Sequence, residues 1–216
     1  MNVNELLKRY TAGEKDFGAI ELPKAPLQAV ILRGISLKGA DLVGANLSGA
    51  DLSGADLSGA NLTGANLTGV ILSRARLVDA ILRVANLTRA DLVKADLSRA
   101  NLVGAKLKAA NLVQANLSRA SLGEADLHGA NLYQANLRRA HLYEADLIGA
   151  TLQGVDLSSA DLLGASLIRA DLTDAILTAA DLSHTQWTGI NLTGAKLHGA
   201  TLPEGMLALV QSYSLS

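Results

Sequence analysis

Ala40-Asp41-Leu42-Val43-Gly44-Ala45-Asn46-Leu47-Ser48-Gly49 is the stretch that decides the fold, because most of the chain repeats it. Leu returns every fifth residue, at Leu42, Leu47, Leu52, Leu57 and onward to Leu182. Ala precedes it by two, at Ala40, Ala45, Ala50 and Ala55, with Asp or Asn usually between them. A period of five fits neither a helix face nor a flat strand. In an extended piece centred on Leu52, alternation sends Ala50 and Leu52 to one side and Asp51 and Ser53 to the other. The next inward Ala is Ala55, three residues on, and a straight strand would throw it outward. The chain therefore turns between Leu52 and Ala55. One short strand plus one corner, turning the same way each time, winds into a coil.

The corner residues agree. Gly34, Gly39, Gly44, Gly49, Gly54, Gly59, Gly64 and Gly69 all fall two after the central residue. A type II turn requires positive φ at its third position, which Gly supplies without steric cost. From Arg74 to Arg139 that slot mostly holds Arg, Asp, Val, Lys, Gln or Glu. These residues predict a different turn there, without positive φ.

The pattern resembles the pentapeptide-repeat family, A(D/N)LXX. The opening Met1-Asn2-Val3-Asn4-Glu5-Leu6-Leu7-Lys8-Arg9-Tyr10, followed by Gly13 and Phe17, is similar to that of cyanobacterial members, in particular a regulator of heterocyst development. The resemblance implies an all-β, right-handed quadrilateral β-helix in which four repeats make one square coil. The register runs from Phe17 to about Leu202. At the spacing of neighbouring strands this makes about nine coils and a rod on the order of 45 Å long.

The 216 residues are 49% hydrophobic, with a net charge of −1. Phe, Trp and Tyr reach only 3%, which a narrow coil filled by Leu and Ala explains. An unbroken repeat argues for one solenoid rather than several domains. The expected division is a capping helix over 1–14, the β-helix over 15–202 and a C-terminal cap or tail over 203–216. Cys is absent, which excludes disulfide and zinc-thiolate chemistry. The start lacks a signal peptide's basic and apolar regions, and no stretch is long enough to span a membrane, so a cytoplasmic location is expected.

Val3, Leu6, Leu7 and Tyr10 fall at helical spacing, with Asn2 or Asn4 as N-cap and Gly13 as the stop. An open β-helix end exposes unpaired strand groups, so this helix is read as a cap, with a partner-binding helix as the rival. In the first coils Lys15, Ile20, Val30 and Ile35 replace Ala, and Pro23 and Pro26 remove amide donors, which predicts irregular coils at an end. Trp187 takes a Leu slot, so its coil must widen or leave the ring exposed. Met206-Leu207-Ala208-Leu209-Val210 is read either as a lid on the last coil or as a pairing segment for a second chain; monomer and C-terminal-end dimer both stay open.

Residues 71–145 carry the varied surface. If residues 20 apart stack, Arg99, Arg119 and Arg139 form a column with Arg138 beside it. Glu124 and Glu144 lie one corner on and are expected to offset their repulsion. The column is either a solvated, screened surface or an anion- or carboxylate-binding ridge facing a protein partner. A second column, Val93, Val113 and Tyr133, has a rim of Lys94, Gln114 and Gln134 and is a candidate apolar interface. A third set, Val103, Tyr143 and Leu163, lies on the opposite side.

No catalytic, cofactor or metal motif is present. His128, His141, His184 and His198 have no ligand spacing, and the many Asp residues sit at a repeat position. A straight rod of small residues offers no deep pocket, which argues against an enzyme. The expected function is a protein-interaction module with an unidentified protein partner. The alternative is a DNA mimic that inhibits DNA gyrase, as the quinolone-resistance branch of the family implies. Near-neutral charge and a basic central zone argue against mimicry, and the scarcity of aromatics argues against binding nucleic acid directly.

Overall fold

The computed structural model describes residues 1–206. Its first element is helix α1, Val3–Thr11. The remainder is a ladder of parallel bridges, each joining residues 20 apart, from Asp16–Ser36 to Asp181–Thr201. Four five-residue repeats therefore make one coil with four sides. Side one holds residues 100–104 and their equivalents 20 apart; sides two, three and four hold 105–109, 110–114 and 115–119.

Every backbone amide in a well-formed repeat has a partner, which is why the phrase repeats so strictly. In the repeat around Leu52, the Leu52 and Gly54 amides donate forward, to Ile71 O at 2.8 Å and Ser73 O at 2.9 Å. The Asp51 amide donates backward, to Val30 O at 2.8 Å, and the Ala55 amide closes the turn onto Leu52 O at 3.0 Å. That leaves Ser53, whose amide donates to Asp51 Oδ1 at 3.0 Å. Asp or Asn before the Leu is thus the acceptor for the one amide that the coils cannot reach.

From Ala40 to Leu182 the Leu and Ala of each repeat are both buried, almost all of them fully enclosed. They fill the bore, and each Leu contributes about 1.5–3 kcal/mol. That driving force explains a departure from the expected turns. Positive φ occurs at the third turn residue of every repeat from Ala19 to Gly199, including Arg74 (φ 59°), Arg99 (60°), Gln114 (56°) and Arg139 (57°). The turn is uniform because that residue's amide must donate to the next coil, as Arg99 does to Ser118 O at 3.0 Å. A different turn would lose this bond and misplace the next Ala. The strain of a non-glycine residue, about 1–2 kcal/mol, is the smaller cost.

Val84 shows the cost most clearly. It is β-branched, holds φ 49° and is 59% exposed, so its side chain gains little from packing. Val84→Gly is expected to raise stability by about 1 kcal/mol, measured by urea unfolding, even though Gly adds freedom to the unfolded chain. Unchanged or lower stability would mean the turn carries no strain there.

The first coils have the same backbone as the rest, contrary to the irregularity expected from their sequence. Ala19, Lys24 and Ala29 keep positive φ, and the bridges are in register from Asp16. The two prolines fit without loss. Amides at the position of Pro26 donate to the preceding coil, as Asn46 does to Ala25 O, and the first coil has none before it. Pro23 occupies the second residue of a type II turn, where its fixed φ is favoured.

Helix α1 is capped by Asn2, whose side chain accepts from the Glu5 amide at 2.9 Å. Leu6 is fully buried, and Val3, Leu7 and Tyr10 pack partly against the core. Tyr10 Oη donates to Arg33 O at 2.9 Å, and the Arg9 guanidinium, paired with Glu14, lies 5.4 Å from the Phe17 ring centre. The helix covers the first coil. At the other end Trp187 is half-buried beside Gly205, and Met206 is buried. The rest of the apolar run, 207–210, lies outside the described residues.

The acceptor role of Asp has a pH consequence. Burial pushes the Asp51 and Asp56 carboxyls up, but hydrogen bonds from Ser53 and Ser58 and nearby arginines outweigh it and hold both below the usual value. At Asp181 the Ser183 bonds dominate and act in the same direction. A depressed folded value stabilises the fold above the unfolded value of about 3.9, and this is lost as pH falls through the folded values. Asn keeps the acceptor without the charge. Asp51→Asn together with Asp56→Asn should therefore flatten the fall in melting temperature between pH 5 and 2, and an unchanged slope would contradict this assignment.

Candidate functional site: the arginine side

Stacking at 20 residues places Arg99, Arg119 and Arg139 in one column, each at the third position of its turn. Side four brings Arg138 beside it. Together with Ser98, Ser118, Asn116 and Asn136 they line a shallow depression of about 480 Å³. Its floor is a polar ladder. Asn136 Nδ2 donates to Asn116 Oδ1 at 3.2 Å, and Asn116 Nδ2 to Asp96 Oδ1 at 2.9 Å.

The charges are not balanced in the way the sequence implied. Arg99 pairs with Asp79, one coil back, through Nε–Oδ1 at 2.7 Å and Nη2–Oδ2 at 2.6 Å. This pairing holds the Asp79 carboxyl below its usual range and raises Arg99. Arg138 reaches Asp156 at 3.3 Å. Among the described residues Arg119 and Arg139 have no acidic partner, and Glu124 and Glu144 pair with neither. The Glu residues stand at the next corner, one side away, and no ion pair forms across that side.

The Val93, Val113 and Tyr133 column lies on side three. The two valines are half-buried and Tyr133 is 40% exposed. Beside it, Gln114 Nε2 donates to Gln134 Oε1 at 2.9 Å. On side one, Tyr143 lies flat over Gly123, where an added Cβ would come within 2.1 Å of the ring. Gly123 has no positive φ; it is there because the ring occupies its side-chain space. Neither the periodicity nor the composition pointed to this contact. A wider opening, about 680 Å³, lies between α1 and Glu21–Pro26. Among the described residues no cluster of three His, Asp or Glu could hold a metal ion, and no helix is long and apolar enough to cross a membrane.

A pentapeptide-repeat family model matches residues 25–59, 60–99, 100–139, 140–178 and 175–204. This chain is a pentapeptide-repeat protein. Proteins of this family form right-handed quadrilateral β-helices. Among solved structures it is similar to HetL, a pentapeptide repeat protein of the cyanobacterium Nostoc sp. strain PCC 7120 involved in heterocyst differentiation regulation. The two are 41% identical over 95% of this chain and 98% of HetL, with a TM-score of 0.49. A second Nostoc pentapeptide repeat protein, alr5209, is 47% identical over 46% of this chain and 80% of its own, with a TM-score of 0.44. QnrB1, a plasmid-mediated fluoroquinolone resistance protein, shares the fold at 22% identity, 94% and 99% coverage and a TM-score of 0.54. No curated protein matches this pentapeptide-repeat protein.

Proposed function

We propose that this protein is a non-enzymatic interaction module that binds a protein partner through its arginine side, in a regulatory role of the kind HetL is named for. One observation carries the reading. Among the described residues Arg119 and Arg139 have no acidic partner, and they stand in an open, polar depression floored by Asn and Ser. A rod stabilised by its Leu bore gains nothing from two stacked, unpaired guanidiniums, which repel each other by somewhat under about 1 kcal/mol in water. Planar guanidiniums are suited to carboxylates, which they hold bidentately. The depression is open and shallow, as suits a macromolecular surface rather than a small substrate.

Capture from a lysate of the source cell tests this, with the wild-type chain as bait beside the Arg99→Ala, Arg119→Ala, Arg139→Ala variant. The expected result is a protein retained by the wild type and lost, at least tenfold, from the variant. Equal retention would move the site to the Val93–Tyr133 column. Retention of nothing specific would remove the reading and make a gyrase supercoiling assay the next measurement.

A further inference from the structure

The arginine column closes side four and opens side one. Each Ala amide that ends a turn marks a corner: Ala120 to Leu117 O and Ala125 to Leu122 O, both within 3.1 Å. Arg119 and Arg139 thus stand at one edge of side one, and Glu124 and Glu144 stand at the other. Arg119 and Glu124 belong to the same coil, as do Arg139 and Glu144, and differ in height by a quarter of the coil spacing, about 1.2 Å. None of the four has an ion-pair partner among the described residues.

We propose that side one is a self-pairing surface, on which two copies of this chain stand parallel, related by a twofold axis along the rod, with Arg119 and Arg139 of each against Glu124 and Glu144 of the other. This rests on the reading that the arginine column is an interaction surface, and it names the partner as a second copy.

The symmetry decides the arrangement. A twofold axis along the rod exchanges the two edges and keeps the height of every residue, so each Arg meets a Glu. A twofold axis across the rod keeps the edges and would set Arg against Arg and Glu against Glu. The contact is isologous and closes at two copies.

The rest of side one is compatible with close approach. At the other heights the two edges carry no like-charged pair: Gly39 faces Gly44, Gly59 faces Gly64, Arg99 faces Gly104 and Ser159 faces Gly164. Sides three and four would set like charges together, and side two offers no Arg opposite Glu. Arg89 and Lys94 would meet across side three, and Lys94 and Arg99 across side four; side two has Gly opposite both Glu residues. Between the edges runs an apolar stripe of Val103, Tyr143 and Leu163, the last 44% exposed, with the exposed Arg83 one coil before Val103. Tyr143, lying over Gly123, keeps the stripe flat. One flat side of a narrow rod makes a small interface, below about 1,200 Å² in total, so the dimer is expected to be weak and salt-sensitive.

Sedimentation equilibrium of the purified full chain, up to several hundred micromolar, is the test. The wild type should show a monomer–dimer equilibrium weakened by salt. Arg119→Glu with Arg139→Glu should weaken dimerisation at least tenfold, as should Glu124→Arg with Glu144→Arg. Mixing these two variants, or combining all four substitutions in one chain, should restore it, and thermal melts show that each variant is folded. A wild type that stays monomeric, a dimer indifferent to either reversal, or a loss that neither mixing nor combination restores would each overturn the proposal. If the chain is monomeric but the arginine variant still loses a captured protein, self-pairing fails and the proposed function stands. If the dimer forms as described and no other protein is captured, self-pairing stands and the regulatory reading of the arginine side fails.

Discussion

Leu112→Ala is expected to cost about 2–5 kcal/mol in urea unfolding without changing the number of coils. Leu112 is fully buried in mid-rod, and Leu92 and Leu132, one coil before and after it, are fully buried too. Its removal leaves a gap that neither neighbour can fill. Both are held by bridges on the same side, and their backbones cannot slide inward without breaking bonds such as Leu112 N to Asn131 O at 2.7 Å. Partial relaxation would place the cost at the low end of that range. Leu202→Ala, at a half-buried position in the last coil, should cost much less. Equal costs at the two sites would mean that burial depth does not set stability in this rod.

Gln114→Pro should be nearly as damaging, at about 3 kcal/mol or more, while Val113→Pro next to it should stay within about 1 kcal/mol. Gln114 holds φ 56°, which the proline ring forbids, and its amide donates to Tyr133 O at 2.9 Å. Val113 is the second residue of the same turn, where φ is not positive and where the first coil already carries Pro23. Its amide makes only a long bond to Asn111 Oδ1, at 3.4 Å. Thermal melts of the two variants would decide the matter. Comparable destabilisation would show that the turn is not type II in this half of the rod.

The same residues show where sequence reading stopped. The identity of Gln114, or of Arg74 and Arg139, argued against positive φ, and locally that argument is sound. It failed because the conformation of a corner is set by its neighbours 20 residues away. Each corner amide must donate to the coil above, and the inward Ala must land on the bore. That constraint is collective, so no single residue announces it. Glu124 and Glu144 form no direct pair with the arginine column for a related reason. Five residues in this chain span a whole side, whereas the true partner of Arg99 is Asp79, 20 residues away and one coil below.

The period of five by itself determined the strand-and-corner unit and the inward Leu and Ala. It could do so because burial in a bore this narrow admits only small and branched aliphatic side chains at fixed spacing, and that requirement is written directly in residue type. Only the tertiary structure decided which charges are left over. Arg99 and Arg138 found carboxylates on neighbouring coils, whereas Arg119 and Arg139, of the same type and in the same column, did not. Ion pairing depends on reach between coils, and reach is a property of the stacked backbone, not of the repeat.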